Sequence, residues 1–595
     1  MNERQSLFQQ AQSLHQAGQW EEAEPLYRAL LAQWPEDGDS LNLLGVLIAQ
    51  KGDLPAAIAL LRQAVAAAPD HAGAWGNLGL ALLDLAPAEA EAALRQSLAL
   101  QPLSAETGLI LGGLLTAQGR WDEAAAFLKG ALDLMPDQPQ GWSNLGLALH
   151  GLGRFDEALA AHRQAVAGLP GHPQALYNMA VTLAEMGRPY EAEAAYRQAL
   201  DLAPDDLDIR NNLGGMLHRT ERLDEAISCY AQVLEKAPDH ASALYNLGRC
   251  HHERDALDQA VDLYRRSLTV RPGNAETHAN LSMVLLAQGN FPDGWAEYEW
   301  RWQTPSGAKQ KRDFLQPLWR GQAAARQSIL IHAEQGFGDT LQFCRLTRQV
   351  AELGLTVILA VQPALKRLLQ GLEGCAQVLS LDEPLPSCDW HCPLLSLPLA
   401  LGLTLERLPP FSPYLRAEPA GRLGPLKPLR VGLVWSGGER LDDPLAKAAN
   451  RRRSMPPAYL EPLFAVRGCR FVSLQKDGPR APAQFSLVDP MAEMRDFADT
   501  AALIQELDLV IAVDTAVAHL AAGLGKPVWL LDRHDACWRW LRGRDDSPWY
   551  PSIRIFRQRK AGDWAEVMER VTAALRDKAL RDKVGQGGLL RRLFR

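Results

Sequence analysis

Several features are scarce in this chain. No uninterrupted apolar run reaches membrane-spanning length, the N-terminal MNERQSLFQQ has no apolar core of the kind a secretory leader carries, and eight cysteines are scattered without a framework. A bilayer-spanning helix needs about 20 apolar residues, so the expectation is a cytoplasmic protein with reduced thiols and no stable membrane insertion. Basic charge is not in excess either. Sixty-two Lys and Arg stand against 70 Asp and Glu, a formal net charge of −8, which argues against general nucleic-acid binding. Only Cys388, His391 and Cys392 cluster. No second group completes a tetrahedral site and no Asp-x-Asp-like site stands out, so no metal and no cofactor is expected.

What is present is length and order. At 595 residues and 47% hydrophobic content the chain exceeds one core and implies three or four compact units. Pro35, Pro69, Pro102, Pro136, Pro170, Pro204, Pro238 and Pro272 recur every 34 residues, with one interval of 33. That period marks a helical-hairpin repeat. Each unit has a small residue at its eighth position (Ala11, Gly45, Gly79, Gly112, Gly146, Ala180, Gly214, Gly248), and most have Ala at the twentieth. Small residues there let the paired helices approach, and Gly18, Gly52, Gly119, Gly153 and Gly187 stand at the turns. The sixth position carries Asn77, Asn144, Asn178, Asn212, Asn246 and Asn280. A carboxamide is both donor and acceptor, so this ladder either bonds a peptide backbone along a concave face or bonds neighbouring backbone within the helices.

After Trp302 the period ends in a charged connector, and the pattern becomes strand, turn, helix. ILIHA reads as a strand, EQGFGD as a turn ending in Asp339, and 340–353 as one helix; 356–361 is the next strand. The pattern restarts at Leu429 with LRVGLVWSGG, then a basic loop NRRRS, then CRFVSLQKD. Near the end comes LDLVIAVDTAVAHLAAGLGKPVWLL, an apolar strand, a polar break and a helix over 515–522. The fold class is therefore an α-helical solenoid followed by an α/β module of two Rossmann-like halves. Every polar candidate follows a strand: Asp339, Ser436 and Gly437, Gln475 and Lys476, Asp514 and Thr515, with His519 one helical turn on. Strand ends on one edge of a parallel sheet converge in space. For Asp339 and Asp514 the competing reading is a helix N-cap. Trp538, Trp540, Trp549 and Tyr550 either stack on a base or sugar or pack on the core. A last helix after Asp563 is expected to return across the cleft, followed by a disordered basic tail.

The first half resembles the tetratricopeptide repeat residue for residue, and its Asn ladder resembles that of O-linked N-acetylglucosamine transferases. GFGD, WSGG and DTxxxHLAxxLGxP resemble the heptosyltransferase group of GT-B glycosyltransferases, and the combination is similar to bacterial flagellin glycosyltransferases. That likeness implies five segments: repeats over 1–304, a linker over 305–327, an acceptor-side half over 328–427, a nucleotide-sugar-binding half over 428–578 and a basic tail over 579–595. It implies Asp339 as base, Lys476 neutralising the donor's phosphate, and Ser436, Gly437, Gln475, Asp514, Thr515 and His519 around the donor. Asn144, Asn178, Asn212, Asn246 and Asn280 would hold a protein acceptor. The implied activity is transfer of a sugar from a nucleotide-sugar co-substrate to that acceptor. The alternatives are a peptide-binding scaffold with a degenerate module, or transfer to lipid or polysaccharide.

Overall fold

The computed structural model describes residues 3–424, 428–438 and 450–593, with side chains to residue 581. Most of the basic loop ERLDDPLAKAANRRRS, residues 439–449, and the last two residues of the tail lie outside the described residues. Two compact units emerge, Met1–Lys236 and Ala237–Arg595.

The first unit is seven antiparallel helix pairs, from Glu3–Gln16 with Trp20–Gln33 to Leu207–Arg219 with Leu223–Lys236. The turn glycines adopt positive φ, +74° at Gly18 and +91° at Gly52, where a side chain would be strained. The eighth-position glycines are sites of contact. A Cβ on Gly112 would lie 2.4 Å from Leu128 Cγ, and one on Gly146 would lie 2.4 Å from the His162 ring. The facing Ala124 and Ala158 are fully buried.

The second unit opens with two more pairs, Ala241–Glu253 with Leu257–Val270 and Ala275–Ala287 with Phe291–Tyr298, and a 3-10 turn Glu299–Gln303. The connector is more than a tether. It contains a helix, Pro305–Gln310, and Trp319, 1% exposed, whose N–H donates to the His391 carbonyl at 2.9 Å. Two all-parallel sheets follow. The first comprises β1 (Ser328–His332), β2 (Thr356–Val361), β3 (Gln377–Ser380) and β4 (Trp390–Pro393), in the order β3-β2-β1-β4. The second comprises β5 (Leu429–Val434), β6 (Cys469–Ser473), β7 (Leu487–Val488), β8 (Leu509–Val513), β9 (Val528–Asp532) and β10 (Ile553–Arg557), in the order β10-β9-β8-β5-β6-β7. Strand order reverses between β1 and β4 and between β8 and β5, and such switch points open crevices at the carboxyl edge.

Two expectations need correction. The helix read as 340–353 is Phe337–Phe343, a 3-10 turn Cys344–Leu346 and Thr347–Glu352. It starts early because Asp339 accepts the Gly336 N–H at 3.0 Å, and it breaks where the Thr347 hydroxyl donates to the Cys344 carbonyl at 2.7 Å. The last helix, Trp564–Leu593, does not cross the cleft. Its Trp564, Val567, Met568, Val571 and Leu575 pack with Val431 and Leu433 of β5 and Leu509, Ile511 and Val513 of β8, because the 3.6-residue stripe of the helix meets the inward-facing alternation of those strands. The helix runs on into the tail, whose side chains beyond residue 581 lie outside the described residues.

Close packing at the eighth position gives a paired prediction. Gly112→Ala drives a methyl into Leu128 and should cost about 1–3 kcal/mol by overpacking. Gly130→Ala, in an exposed helix interior with nothing within 4 Å, should stabilise by up to about 1 kcal/mol. Urea midpoints of the two variants should therefore move in opposite directions.

Candidate functional site

The second unit brings the polar residues of both halves to one place. Gly338 of the GFGD turn lies against the helix Ala516–Gly523, so closely that a Cβ there would be 3.0 Å from His519 Cδ2 and 3.6 Å from Ala516 Cα. Phe337 packs on Phe497 with ring centroids 4.9 Å apart. Across the same junction Arg367 of the first half pairs with Asp496 and Asp499 of the second.

Asp339 does two jobs at this contact. One carboxylate oxygen caps its own helix at Gly336, and the other pairs with Arg539, which comes from the loop after β9. Arg539 also donates to Gln342 Oε1 at 2.9 Å and lies over the Trp538 ring at 4.4 Å. Burial opposes its charge, but Asp339, Cys537, Tyr298 and Asp514 together outweigh that and hold the guanidinium above its ordinary range. Asp514 follows β8 and is not the helix cap: Thr515 occupies that position, and its hydroxyl donates to the Val513 carbonyl at 3.1 Å without accepting a helix N–H.

His519, 3% exposed, hydrogen bonds through Nδ1 to the Tyr550 hydroxyl at 3.1 Å and stacks on Trp540. The Tyr414 hydroxyl donates to the Leu341 carbonyl at 2.7 Å and lies 3.3 Å from the Tyr550 hydroxyl. His519 Nε2 lies 3.9 Å from Asp514 Oδ1. Burial pushes the imidazole down to about 4, so the ring is neutral.

Ser436 and Gly437 follow β5, across the switch point from Asp514. Gln475 braces them: its Oε1 accepts the Trp435 and Ser436 N–H groups at 3.0 and 2.9 Å, and its Nε2 donates to the Ser436 carbonyl. The Ser454 hydroxyl accepts the Gly437 N–H at 3.1 Å. A Cβ on Gly437 would lie 2.5 Å from the Arg453 guanidinium, which also reaches the Asp514 carbonyl. Arg453 thus belongs to this edge rather than to a solvated loop. Lys476 stands apart, exposed one strand further out, with Nζ donating to the Met494 carbonyl at 3.0 Å.

The aromatic stretch packs as core. Trp540, Trp549 and Tyr550 are fully buried and Trp538 is 4% exposed. Trp538 meets Trp295 edge-on at 5.2 Å, and Trp549 meets Phe291 at 5.6 Å. Their rings are closed to a base or sugar. Of the acidic neighbours, Asp546 pairs with Arg544. The Cys388, His391 and Cys392 group is also structural: His391 stacks on Phe314, and Cys392 is buried. Among the described residues, no three His, Cys, Asp or Glu side chains converge to hold a metal ion.

In the Asn ladder, amide nitrogens reach back 35 residues to the preceding pair. Asn77 donates to Asn42 Oδ1 at 2.9 Å, Asn178 to Ser143 Oγ at 3.3 Å, Asn212 to the Tyr177 hydroxyl at 2.7 Å and Asn280 to the Tyr245 hydroxyl at 3.1 Å. Asn144 Nδ2 lies 3.1 Å from where a Cβ of Gly113 would stand. Asn246 also has a partner. The bonds run between repeats, not only within helices.

Sequence comparison now has a geometry to attach to. Tetratricopeptide-repeat models match residues 8–85 and 104–273 in overlapping segments. The helix pairs are tetratricopeptide repeats. The model for glycosyltransferase family 9 (heptosyltransferase) matches residues 489–531, which hold β8, the Asp514 to His519 turn and most of β9. Protein FlbA of Caulobacter vibrioides (strain ATCC 19089 / CIP 103742 / CB 15) is 28% identical over 334 residues, covering 50% of this chain and 54% of that protein. The chain thus spans about half the length of this curated relative. Together these likenesses fit a tetratricopeptide-repeat glycosyltransferase. Among solved structures, the APC/C hetero-tetramer Cut9-Hcn1 is 18% identical with a TM-score of 0.35, covering 47% of this chain and 55% of that one. YrrB, titled a TPR protein with an unusual peptide-binding site, is 22% identical with a TM-score of 0.30, covering 33% and 97%. Pseudomonas aeruginosa pilF is 22% identical with a TM-score of 0.31, covering 35% and 94%. No helix among the described residues is long and apolar enough to cross a membrane.

Arg539 and Tyr414 escaped assignment to this site from sequence. The one signal was the unusual WRWLRGRDDSPWY run, whose arginines and aromatics have no local period. The buried histidine supplies a pH test. Its folded pKa lies below its unfolded value, so the stability it contributes is complete above about pH 6.5 and is lost as pH falls toward 4. His519→Gln, which keeps a hydrogen-bonding amide for Tyr550, should remove up to about 3 kcal/mol of that acid sensitivity. Comparing urea midpoints of the two proteins at pH 7 and 4.5 measures it.

Proposed function

We propose that this protein transfers a sugar from a nucleotide-sugar donor to a protein acceptor held by the tetratricopeptide repeats. The observation that carries the reading is the meeting of Asp339, Asp514 and His519 where the two Rossmann-like halves touch, with the Asp514 turn inside the segment matching glycosyltransferase family 9. The donor lies at the β5–β8 switch point, against Ser436, Gly437, Thr515 and the Arg453 guanidinium. Lys476 is a peripheral contact in this reading, since its ammonium is held by the Met494 carbonyl.

Asp339, from the other half, takes the proton of the acceptor hydroxyl as it attacks the anomeric carbon. Attack from the face opposite the leaving phosphate inverts that carbon. The acceptor contacts the faces of the first helices of the repeats, where Asn144, Asn178, Asn212, Asn246 and Asn280 stand. The amide nitrogens of Asn178, Asn212 and Asn280 are committed between repeats, and Asn178 Oδ1 accepts from Gln174 at 3.0 Å, so the carbonyl oxygens of Asn212 and Asn280 are the atoms offered to peptide N–H groups. The similarity to FlbA and to flagellin glycosyltransferases makes flagellin the first acceptor to try.

Two measurements test the reading. Asp339→Asn should lower transfer by at least about 10²-fold, the scale of a lost general base, while a nucleotide-sugar panel still raises the melting temperature. Retained activity removes the base. Asn144→Ala, Asn178→Ala and Asn212→Ala combined should raise KM for the protein acceptor several-fold and leave kcat near wild type. Unchanged KM would favour a lipid or polysaccharide acceptor.

A further inference from the structure

Both oxygens of the Asp339 carboxylate are engaged. One oxygen is taken by the Gly336 N–H at 3.0 Å and the other by Arg539. The oxygen facing Arg539 is the one not committed to the helix, so the guanidinium stands where that oxygen would meet an acceptor hydroxyl. The partner is equally constrained. Arg539 is 13% exposed at its side chain and Asp339 15%, and a guanidinium so enclosed is costly without a compensating anion. Arg539 can therefore leave Asp339 only if another anion takes the carboxylate's place.

The position of Arg539 says which anion that is. It is carried by the loop after β9, on the half that holds the Asp514 turn, and only its tip reaches Asp339 and Gln342 of the other half. Asp339, Asp514, Tyr298 and Cys537 are the ionisable groups around it, and His519 nearby is neutral. The loop is held in a fixed, strained shape. Leu541 has φ +51° and ψ 178°, an unfavourable backbone for a residue with a side chain. The Arg557 guanidinium grips its carbonyl at 2.8 Å and is itself braced by Asp532 at 2.9 Å. Such a loop keeps the Arg539 backbone in place while the long side chain retains a choice of partner. A phosphate offers more charge than a carboxylate and the same fit to a planar fork of donors.

We infer that Arg539 exchanges partners, holding Asp339 while the donor site is empty and turning to the donor's phosphate when it fills, so that donor binding unmasks the base. This rests on the donor site proposed above. The exchange keeps the enzyme from deprotonating an acceptor, or water, before a sugar is in place. Arg539 is a positioning residue for Asp339 and a binding residue for phosphate.

The exchange predicts a competition readable without turnover. Calorimetric titration of the full chain with ADP, GDP, UDP, CDP and CMP identifies the nucleotide that binds. Asp339→Asn, which removes the competing charge and keeps an amide oxygen for Arg539, should bind that nucleotide about tenfold more tightly than wild type, a coupling of ordinary size between linked sites. Arg539→Gln should bind it about tenfold more weakly, Arg539→Lys should recover part of the loss, and the double variant should match Arg539→Gln, erasing the gain. A merely structural Arg539 would not make Asp339→Asn a tighter binder. Equal or weaker binding by Asp339→Asn overturns the exchange and leaves the donor site standing, as does a gain that persists in the double variant. If no nucleotide binds wild type or Asp339→Asn, the donor reading falls and takes the exchange with it. Should Arg539→Gln fail to fold, Asp339→Asn against wild type decides alone.

Discussion

The second unit depends on one aromatic junction. Phe291 and Trp295 from the last repeat pair, Phe343 from the first α/β half, and Trp538 and Trp549 from the second meet at centroid distances of 5.2 to 6.4 Å. Edge and offset contacts of this kind add about 0.5–1.5 kcal/mol per pair beyond the area they bury. Their importance is geometric as much as energetic. A site assembled from the GFGD turn of one half and the Asp514 turn of the other works only if the two halves keep their distance, and rigid rings with few rotamers set that distance better than flexible side chains do. The same junction makes the last two helix pairs part of the core of the α/β module, whatever their period says about ancestry.

Charge is then placed on that frame at cost. Arg301, at the end of the repeats, pairs with Glu334 at 2.8 Å and with Glu299 at 2.6 Å, and donates to Ser396 Oγ at 2.8 Å. Burial pushes Glu334 up to about 7 even though Arg301 pulls the other way. Enclosed charges of this kind stabilise little in total, since desolvation offsets attraction, but removing one partner is severe. Here they fix the register of the last repeat pair against β1, as the enclosed pair of Asp339 and Arg539 fixes the GFGD turn against the loop after β9.

The Asn ladder ties the repeats to one another. Its amide nitrogens stitch successive helix pairs at a spacing of 35 residues, one more than the repeat. Each bond therefore ties the sixth position of one pair to the fifth of the pair before. That use explains why Asn, an indifferent helix former, recurs without any ligand present.

What the sequence determined by itself was whatever has a period or a strand end. The 34-residue spacing of proline, the small residues at the eighth position and the alternation from apolar strand to polar turn are local rules, and they placed the solenoid, the two parallel sheets and the polar residues at the carboxyl edge. Only the tertiary structure decided which of those residues face one another. It joined Asp339 to Arg539, 200 positions later, made Gln475 a brace, set the Lys476 ammonium on the Met494 carbonyl, turned the tryptophans inward and laid the last helix on its own sheet. These outcomes depend on which surfaces of distant segments are complementary in shape and charge, and no local periodicity encodes that.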